Sequence, residues 1–133
     1  MARLREGRAN TARGAAHFLA ETIGRVRSAG ATGQLTVRAD SGFYAGAVVA
    51  VCRRMRVRFS ITIRQHGSLR RLIEAIPDDA WTPIPYWLDD GADVAETTYV
   101  PFADQKDAVP VRLIVRRVRP TPGSQLAAFV LYD

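Results

Sequence analysis

The chain has 133 residues, of which 47% are hydrophobic and 24% charged, with one cysteine and a formal net charge of +6. This length suits a single domain, and no segment reaches the roughly 18 consecutive apolar residues that a membrane-spanning helix needs. One cysteine, Cys52, excludes an internal disulfide and a site built from several thiolates, so we expect a protein of the reducing cytoplasm with no membrane partner.

The charge is distributed very unevenly along the chain. Residues 1–73 contain fourteen arginines and three acidic residues, residues 74–107 contain one lysine and nine acidic residues, and residues 108–133 contain four arginines and one acidic residue. A planar guanidinium group suits bidentate contacts to phosphate, although a GC-rich genome would also enrich arginine. The basic first half favours an acidic polymer as partner, with nucleic acid ahead of a membrane surface.

Hydrophobic periodicity predicts alternating helices and strands in the first half of the chain. Asn10 or Thr11 can cap the first helix, and Gly30 and Gly33 end it. The predicted elements are a helix to about residue 28, a strand over 34–39, a helix over 44–55 and a strand over 57–65. A strand-helix-strand unit of this kind predicts two parallel strands with a right-handed crossover.

The second half is predicted to be rich in strands. A short helix over 68–75 precedes a segment with Pro77, Pro83 and Pro85, which excludes regular helix there. Three later runs, over 94–100, 109–119 and 125–132, are typical of an antiparallel meander. Composition and periodicity change near residue 76, so we expect an α/β core over 1–76 and a β-rich region over 77–133 of the same domain.

Asp40 is the main candidate for chemistry, because it ends the first predicted strand. In a parallel sheet this end opens into the crevice that binds ligands. Arg64 ends the next predicted strand, and neighbouring strands about 4.8 Å apart would bring the two side chains close together. A carboxylate and an arginine placed in this way can hold a divalent cation and grip a phosphate. Alternatively, Asp40 caps a helix and Arg64 faces water, and spacing alone leaves both interpretations open.

Other polar and aromatic residues are interpreted as structural. Cys52 is expected in the core, and His17 and His66 at surface or edge positions. Trp81 is expected to pack a loop onto the domain. The acidic residues of the second half lack the spacing of a calcium loop and are interpreted as a solvated face, comprising Asp78, Asp79, Asp89, Asp90, Asp93 and Glu96.

Two segments carry a resemblance to a known family. VRADSGFY at residues 37–44 and VRFSITIRQ at residues 57–65 resemble a bacterial insertion-sequence transposase of the DDE type, in the group named transposase DDE domain group 1. Further similar segments span nearly the whole chain: RLREGRAN at 3–10, DAWTPIPYW at 79–87 and PVRLIVRRVRP at 110–120.

The resemblance implies an RNase H-like catalytic domain in which three acidic residues hold two Mg²⁺ ions for DNA cleavage and strand transfer. Asp40 matches the second acid. The first acid and the final glutamate find no counterpart, so the resemblance implies a partial core of helix-strand-helix-strand-helix followed by a β-rich insertion. Such a transposase fragment is expected to hold one metal ligand, Asp40, and to be inactive alone.

A rival interpretation is a non-catalytic basic module that binds nucleic acid. In it, Asp40 is only a cap, and the phosphate contacts come from arginines of the first half, namely Arg53, Arg54, Arg56, Arg58 and Arg64. Of these, Arg54, Arg58 and Arg64 are the predicted nucleic-acid contacts in either interpretation. A third possibility is a reading frame without a stable product.

Overall fold

The computed structural model describes residues 14–85, 91–106, 108–118 and 127–132. They form three α-helices: α1 (Ala15–Ser28), α2 (Gly46–Arg54) and α3 (Gly67–Glu74). They also form six strands: β1 (Thr36–Ala39), β2 (Arg58–Thr62), β3 (Thr82–Ile84), β4 (Ala92–Tyr99), β5 (Val111–Val118) and β6 (Ala127–Tyr132). The mixture of helices and strands confirms the predicted α/β class.

The chain divides into two compact units, residues 1–61 and residues 62–133. In the first unit, β1 pairs with β2 in parallel, from Thr36 opposite Arg58 to Ala39 opposite Ile61. The helix α2 connects these strands, so the predicted strand-helix-strand unit and its parallel pairing are confirmed. The predicted caps Asn10 and Thr11 lie outside the described residues, and the domain boundary near residue 76 stays a prediction.

A small hydrophobic cluster holds the first unit together. Its buried members are Ile23 of α1, Val51 of α2 and Val57, which precedes β2. Further apolar residues pack against them, namely Ala16, Leu19, Ala20, Leu35, Val37 and Met55. The α1 members recur at intervals of three and four residues, which places them on one helix face. Burial of this face is what packs α1 against α2.

Both helices of the first unit end in the same hydrogen-bonded turn. At α1, the Gly30 N–H donates to Arg27 O (3.0 Å) and the Ala31 N–H donates to Val26 O (3.3 Å). This pair of bonds is the Schellman motif, in which the residue directly after the C-cap has a left-handed backbone. Gly30 adopts a φ of 98° there, so glycine ends α1 as its sequence predicts.

In the second unit, β3, β4, β5 and β6 form an antiparallel meander in chain order. The last three strands were predicted, with bounds that differ by a few residues. β3 is a three-residue strand that the sequence does not predict, because its central residue is Pro83. Proline cannot donate to a sheet ladder and is confined to positions such as edge strands. The three-residue turn Asp78–Ala80 before β3 is 3₁₀-helical.

Alternation along β2 and β5 shows which faces are buried. Val111, Leu113 and Val115 are buried on β5, with the exposed Arg112 between them. On β2, Phe59 and Ile61 are fully buried, and Ser60 between them is buried as well. No helix of the described residues is long and apolar enough to cross a membrane.

The first-unit cluster predicts a large effect of truncating Ile23, which is 4% exposed. Ile23→Ala removes buried methyl and methylene groups and leaves a cavity, so we expect the free energy of unfolding to fall by about 3 kcal/mol. Urea denaturation monitored by circular dichroism measures the free energy of unfolding. Val26→Ala on the same helix is the control, because Val26 is 38% exposed and should lose no more than about 0.5 kcal/mol. Equal losses for the two variants would contradict the assigned core.

Candidate functional site

Asp40 follows the last residue of β1 and begins a 3₁₀ turn over Ser41–Phe43. Its Oδ1 accepts a hydrogen bond from the Gly42 N–H at 2.8 Å, and the Phe43 N–H donates to its backbone oxygen at 3.1 Å. The predicted capping role is therefore confirmed, although the capped element is a single short turn. A carboxylate has about four lone-pair sites. Because Asp40 is exposed and the cap uses one site, the side chain keeps capacity for a further ligand.

Arg64 is exposed and lies two residues beyond the end of β2, in the second unit. Asp40 lies in the first unit. The β1–β2 register stops at Ala39 opposite Ile61, one residue short of Asp40. The predicted closeness of the Asp40 and Arg64 side chains therefore stays a prediction.

Arg54, Arg56 and Arg58 form a group that we call the basic ridge. Arg54 is the last residue of α2, Arg58 is the first of β2, and all three are exposed. The residues between them point the other way, because Met55 packs against the hydrophobic cluster and Val57 belongs to it. The described part of the first unit has seven arginines and two acidic residues, so its potential is positive.

The described residues do not fit a two-metal centre. Nowhere in the described ranges do three or more His, Cys, Asp or Glu side chains come together. Apart from Asp40, the acid of the first unit's described residues is Glu21, whose Oε1 accepts a hydrogen bond from Arg25 Nη2 at 2.8 Å on α1. Asp40 thus provides one carboxylate, whereas the chemistry implied by the resemblance needs several.

A polar cluster in the second unit escaped sequence reasoning. Asp93 on β4 is 4% exposed, and its Oδ2 accepts hydrogen bonds from Arg117 Nε (3.3 Å) and Nη2 (3.2 Å) on β5. The Arg117 guanidinium also lies 4.1 Å from the centre of the Trp81 ring. The interpretation of Asp93 as part of a solvated face is therefore wrong. Antiparallel alignment of the two strands, which places Asp93 opposite Arg117, could have indicated the pair.

This cluster borders a cleft of about 450 Å³ in the second unit. Charged groups of both signs line it, together with the half-buried Trp81 ring; they include Arg70, Glu74, Asp78, Arg116 and Arg117. Asp93 and Trp81 both contact the Arg117 guanidinium at one wall of the cleft. The mixed charge favours no single class of ligand.

The histidines and the cysteine lie where the sequence predicts. His17 and His66 are exposed and Cys52 is buried. His66 has an additional structural role, because it is the N-cap of α3, where its Nδ1 accepts the Leu69 N–H at 3.4 Å. The Ser68 hydroxyl contacts the same nitrogen at 2.9 Å. Histidine is an uncommon N-cap, which is why the sequence does not indicate it.

Comparison with known families agrees with the resemblance carried by residues 37–44 and 57–65. A family model described as transposase DDE domain group 1 matches residues 1–132. No curated protein matches the chain.

The Asp93–Arg117 pair predicts unequal effects of removing two arginines from β5. Arg117→Ala removes two hydrogen bonds and an ion pair from the buried Asp93 carboxylate, so the free energy of unfolding should fall by about 3 kcal/mol. Arg112→Ala removes an exposed ion pair with Glu96 (3.6 Å) and should change the free energy of unfolding by about 0.5 kcal/mol or less. Urea titrations of both variants make the comparison. A loss for Arg117→Ala no larger than that for Arg112→Ala would refute the structural role of the pair.

Proposed function

We propose that this chain, which belongs to the transposase DDE domain group 1 family, acts on DNA in a transposition reaction and supplies one metal-ligand position, Asp40. The family membership carries the proposal, because it covers almost the full chain and includes the Asp40 segment. Since the substrate is DNA, the proposed place of action is the cytoplasm of a bacterial cell. The metal-dependent cleavage and strand transfer of the family are not assigned to this chain alone.

The position and chemistry of Asp40 support its role as a ligand. It comes directly after a parallel strand, where α/β sheets bind their ligands, and its carboxylate is exposed. Carboxylate oxygens are the ligands that Mg²⁺ prefers, and Mg²⁺ is commonly held by one or two of them together with substrate phosphates. The hydrogen bond from the Gly42 N–H orients the carboxylate without neutralising it.

One carboxylate does not make the family's active site. Two cations that bridge a phosphate need several acidic ligands, and the described residues form no group of three or more His, Cys, Asp or Glu side chains that could hold a metal ion. We therefore propose that this chain by itself binds DNA but does not cleave it. The remaining carboxylates would have to come from outside the described residues.

The proposed DNA contacts are Arg54, Arg58 and Arg64. All three side chains are exposed, and Arg54 and Arg58 belong to the strongly basic first unit. Guanidinium groups bind phosphate oxygens bidentately and release counterions from DNA, so such contacts bind duplexes without regard to sequence.

The alternative function is a non-catalytic module that binds nucleic acid. The bond between Asp40 Oδ1 and the Gly42 N–H favours it, because this bond alone explains an aspartate at the turn. Arg54, Arg58 and Arg64 are DNA contacts in both proposals. The test that separates the proposals is whether the Asp40 carboxylate binds a cation.

A paramagnetic titration distinguishes the two functions. If Asp40 is a metal ligand, adding Mn²⁺ in place of Mg²⁺ to the chain bound to DNA should broaden the amide resonances of residues 40–44, and Asp40→Asn should remove the effect. Asparagine keeps an oxygen that can accept the Gly42 N–H, so the turn is retained while the charge is lost. Heteronuclear NMR spectra recorded with and without Mn²⁺ measure the broadening of these resonances.

Asp104→Asn is the matched control for that titration, because Asp104 is also an exposed aspartate outside any predicted site. It should leave the broadening at residues 40–44 unchanged. Broadening that persists in Asp40→Asn would remove Asp40 from the metal site and leave the non-catalytic module as the function.

A nicking assay tests whether one carboxylate suffices. Purified chain incubated with supercoiled plasmid and Mg²⁺ should give no more relaxed plasmid than a reaction without protein, because the two-metal geometry is incomplete. Gel electrophoresis measures the relaxed fraction. Magnesium-dependent nicking that disappears in Asp40→Ala would show that the chain is catalytically complete.

A further inference from the structure

The two helices of the first unit end in the same turn but with different residues at its left-handed position. At the end of α2, the Arg56 N–H donates to Arg53 O (3.0 Å) and the Val57 N–H donates to Cys52 O (2.9 Å). These are the two bonds that Gly30 and Ala31 make at the end of α1. Arg56 adopts a φ of 51°, whereas the equivalent residue of α1 is a glycine with a φ of 98°.

An arginine is an unfavourable choice for this position. A Cβ atom in the left-handed region approaches the following carbonyl group, which is why glycine is the usual residue at this point of a Schellman motif. The turn itself needs only the backbone and the burial of Val57, which is 3% exposed. Nothing in the turn therefore requires a side chain at position 56.

Compensation of the helix dipole is a weak reason for Arg56. Cations near a helix C-terminus are favourable, but the effect falls off within the last turn. Arg53 and Arg54 already occupy the last turn of α2. A third arginine, outside the helix and in strained backbone, adds little to this interaction.

The surroundings of Arg56 present its guanidinium to solvent together with two others. Arg54, Arg56 and Arg58 alternate with Met55 and Val57, which the hydrophobic cluster holds. Among the described residues, none accepts a hydrogen bond from these three guanidinium groups or forms an ion pair with them. Two other arginines of the first unit are engaged within the protein: Arg25 pairs with Glu21, and Arg27 donates to Ala31 O and Gly33 O.

We propose that Arg56 contacts the DNA backbone, and that the basic ridge of Arg54, Arg56 and Arg58 binds successive phosphates of one strand. Because the chain turns at Arg56, the Cα atoms of the ridge lie closer together than the roughly 14 Å of an extended five-residue segment, so the three long side chains can reach neighbouring phosphates. The strained backbone at Arg56 is retained for binding, since the fold would be served as well by glycine. This inference rests on DNA being the partner, as in the proposed function. It adds Arg56 to the proposed DNA contacts because of its left-handed backbone.

Arg56→Gly separates binding from folding, because the two readouts should move in different directions. The melting temperature should be at least that of the wild-type chain, with a gain of up to about 4 °C as the strain is relieved. Affinity for a duplex should fall about fivefold at ~0.1 M salt. The slope of log K against log salt concentration should become shallower by about 0.9, the value for one lost phosphate contact.

Two further variants control for charge and for backbone. Arg56→Lys keeps the charge and the strain, so it should keep the wild-type salt slope. Arg25→Ala removes one charge from an exposed arginine of the same unit that is paired with Glu21, so its slope should also stay unchanged. Fluorescence anisotropy with a labelled duplex over a series of salt concentrations, and thermal melting by circular dichroism, provide the measurements.

The possible results lead to different conclusions. Wild-type binding with an unchanged slope in Arg56→Gly overturns the ridge and leaves the proposed function intact. A melting temperature well below wild type for Arg56→Gly also overturns it, because Arg56 would then serve the fold. If the wild-type chain fails to bind DNA at low salt, the proposed function itself fails. Equal slope changes in Arg56→Gly and Arg25→Ala would reduce the effect to net charge and refute a local contact.

Discussion

Burial of Val57 is the constraint on which the first unit depends. Its side chain joins Ile23 and Val51 in the hydrophobic cluster, and its N–H closes the turn at the end of α2 by donating to Cys52 O. Because Val57 also leads directly into β2, burying it sets which residues of the strand face inward. Side chains alternate along a strand, so Phe59 and Ile61 follow it into the core and Arg58 is directed outward. A shift of one residue would reverse both faces, which makes this register strongly specified.

The strand register that burial of Val57 sets also determines which residue follows the carboxyl end of β1. The parallel register that begins at Thr36 opposite Arg58 ends at Ala39 opposite Ile61, and the chain then turns at Asp40. The turn is closed locally by the Asp40 carboxylate itself, so the acid is oriented by its own backbone. The unit therefore has one oriented carboxylate, Asp40, directly after β1, and the basic ridge at the start of β2. One carboxylate agrees with DNA binding by a member of a transposase family more readily than with cleavage by this chain alone.

The elements that the sequence predicts are those whose pattern is local. The alternation over 57–65 and the helical spacing of the α1 residues can be read from single segments, because burial of one face repeats with a fixed period. The sequence does not indicate the burial of Asp93, because this burial depends on Arg117, which lies 24 residues away and becomes its neighbour only through the β4–β5 register. β3 was missed because Pro83 argues against a strand except at an edge. At Arg56 the sequence misleads in another way, since arginine is not a residue that indicates a left-handed turn.

From composition alone, the arginine content of the chain has two explanations, a GC-rich genome or phosphate binding. The contacts in the structure show that some of these arginines have a structural role. Arg27 braces the loop after α1 through Ala31 O and Gly33 O. Arg117 neutralises the buried Asp93 and stacks on Trp81, where a lysine could not supply two donors and a planar face at once. These positions use arginine for its geometry inside the protein. The ridge differs, because its side chains are solvent-exposed and one of them occupies strained backbone. Genome composition can explain an excess of arginine on a surface, but it does not explain an arginine at a position whose backbone favours glycine.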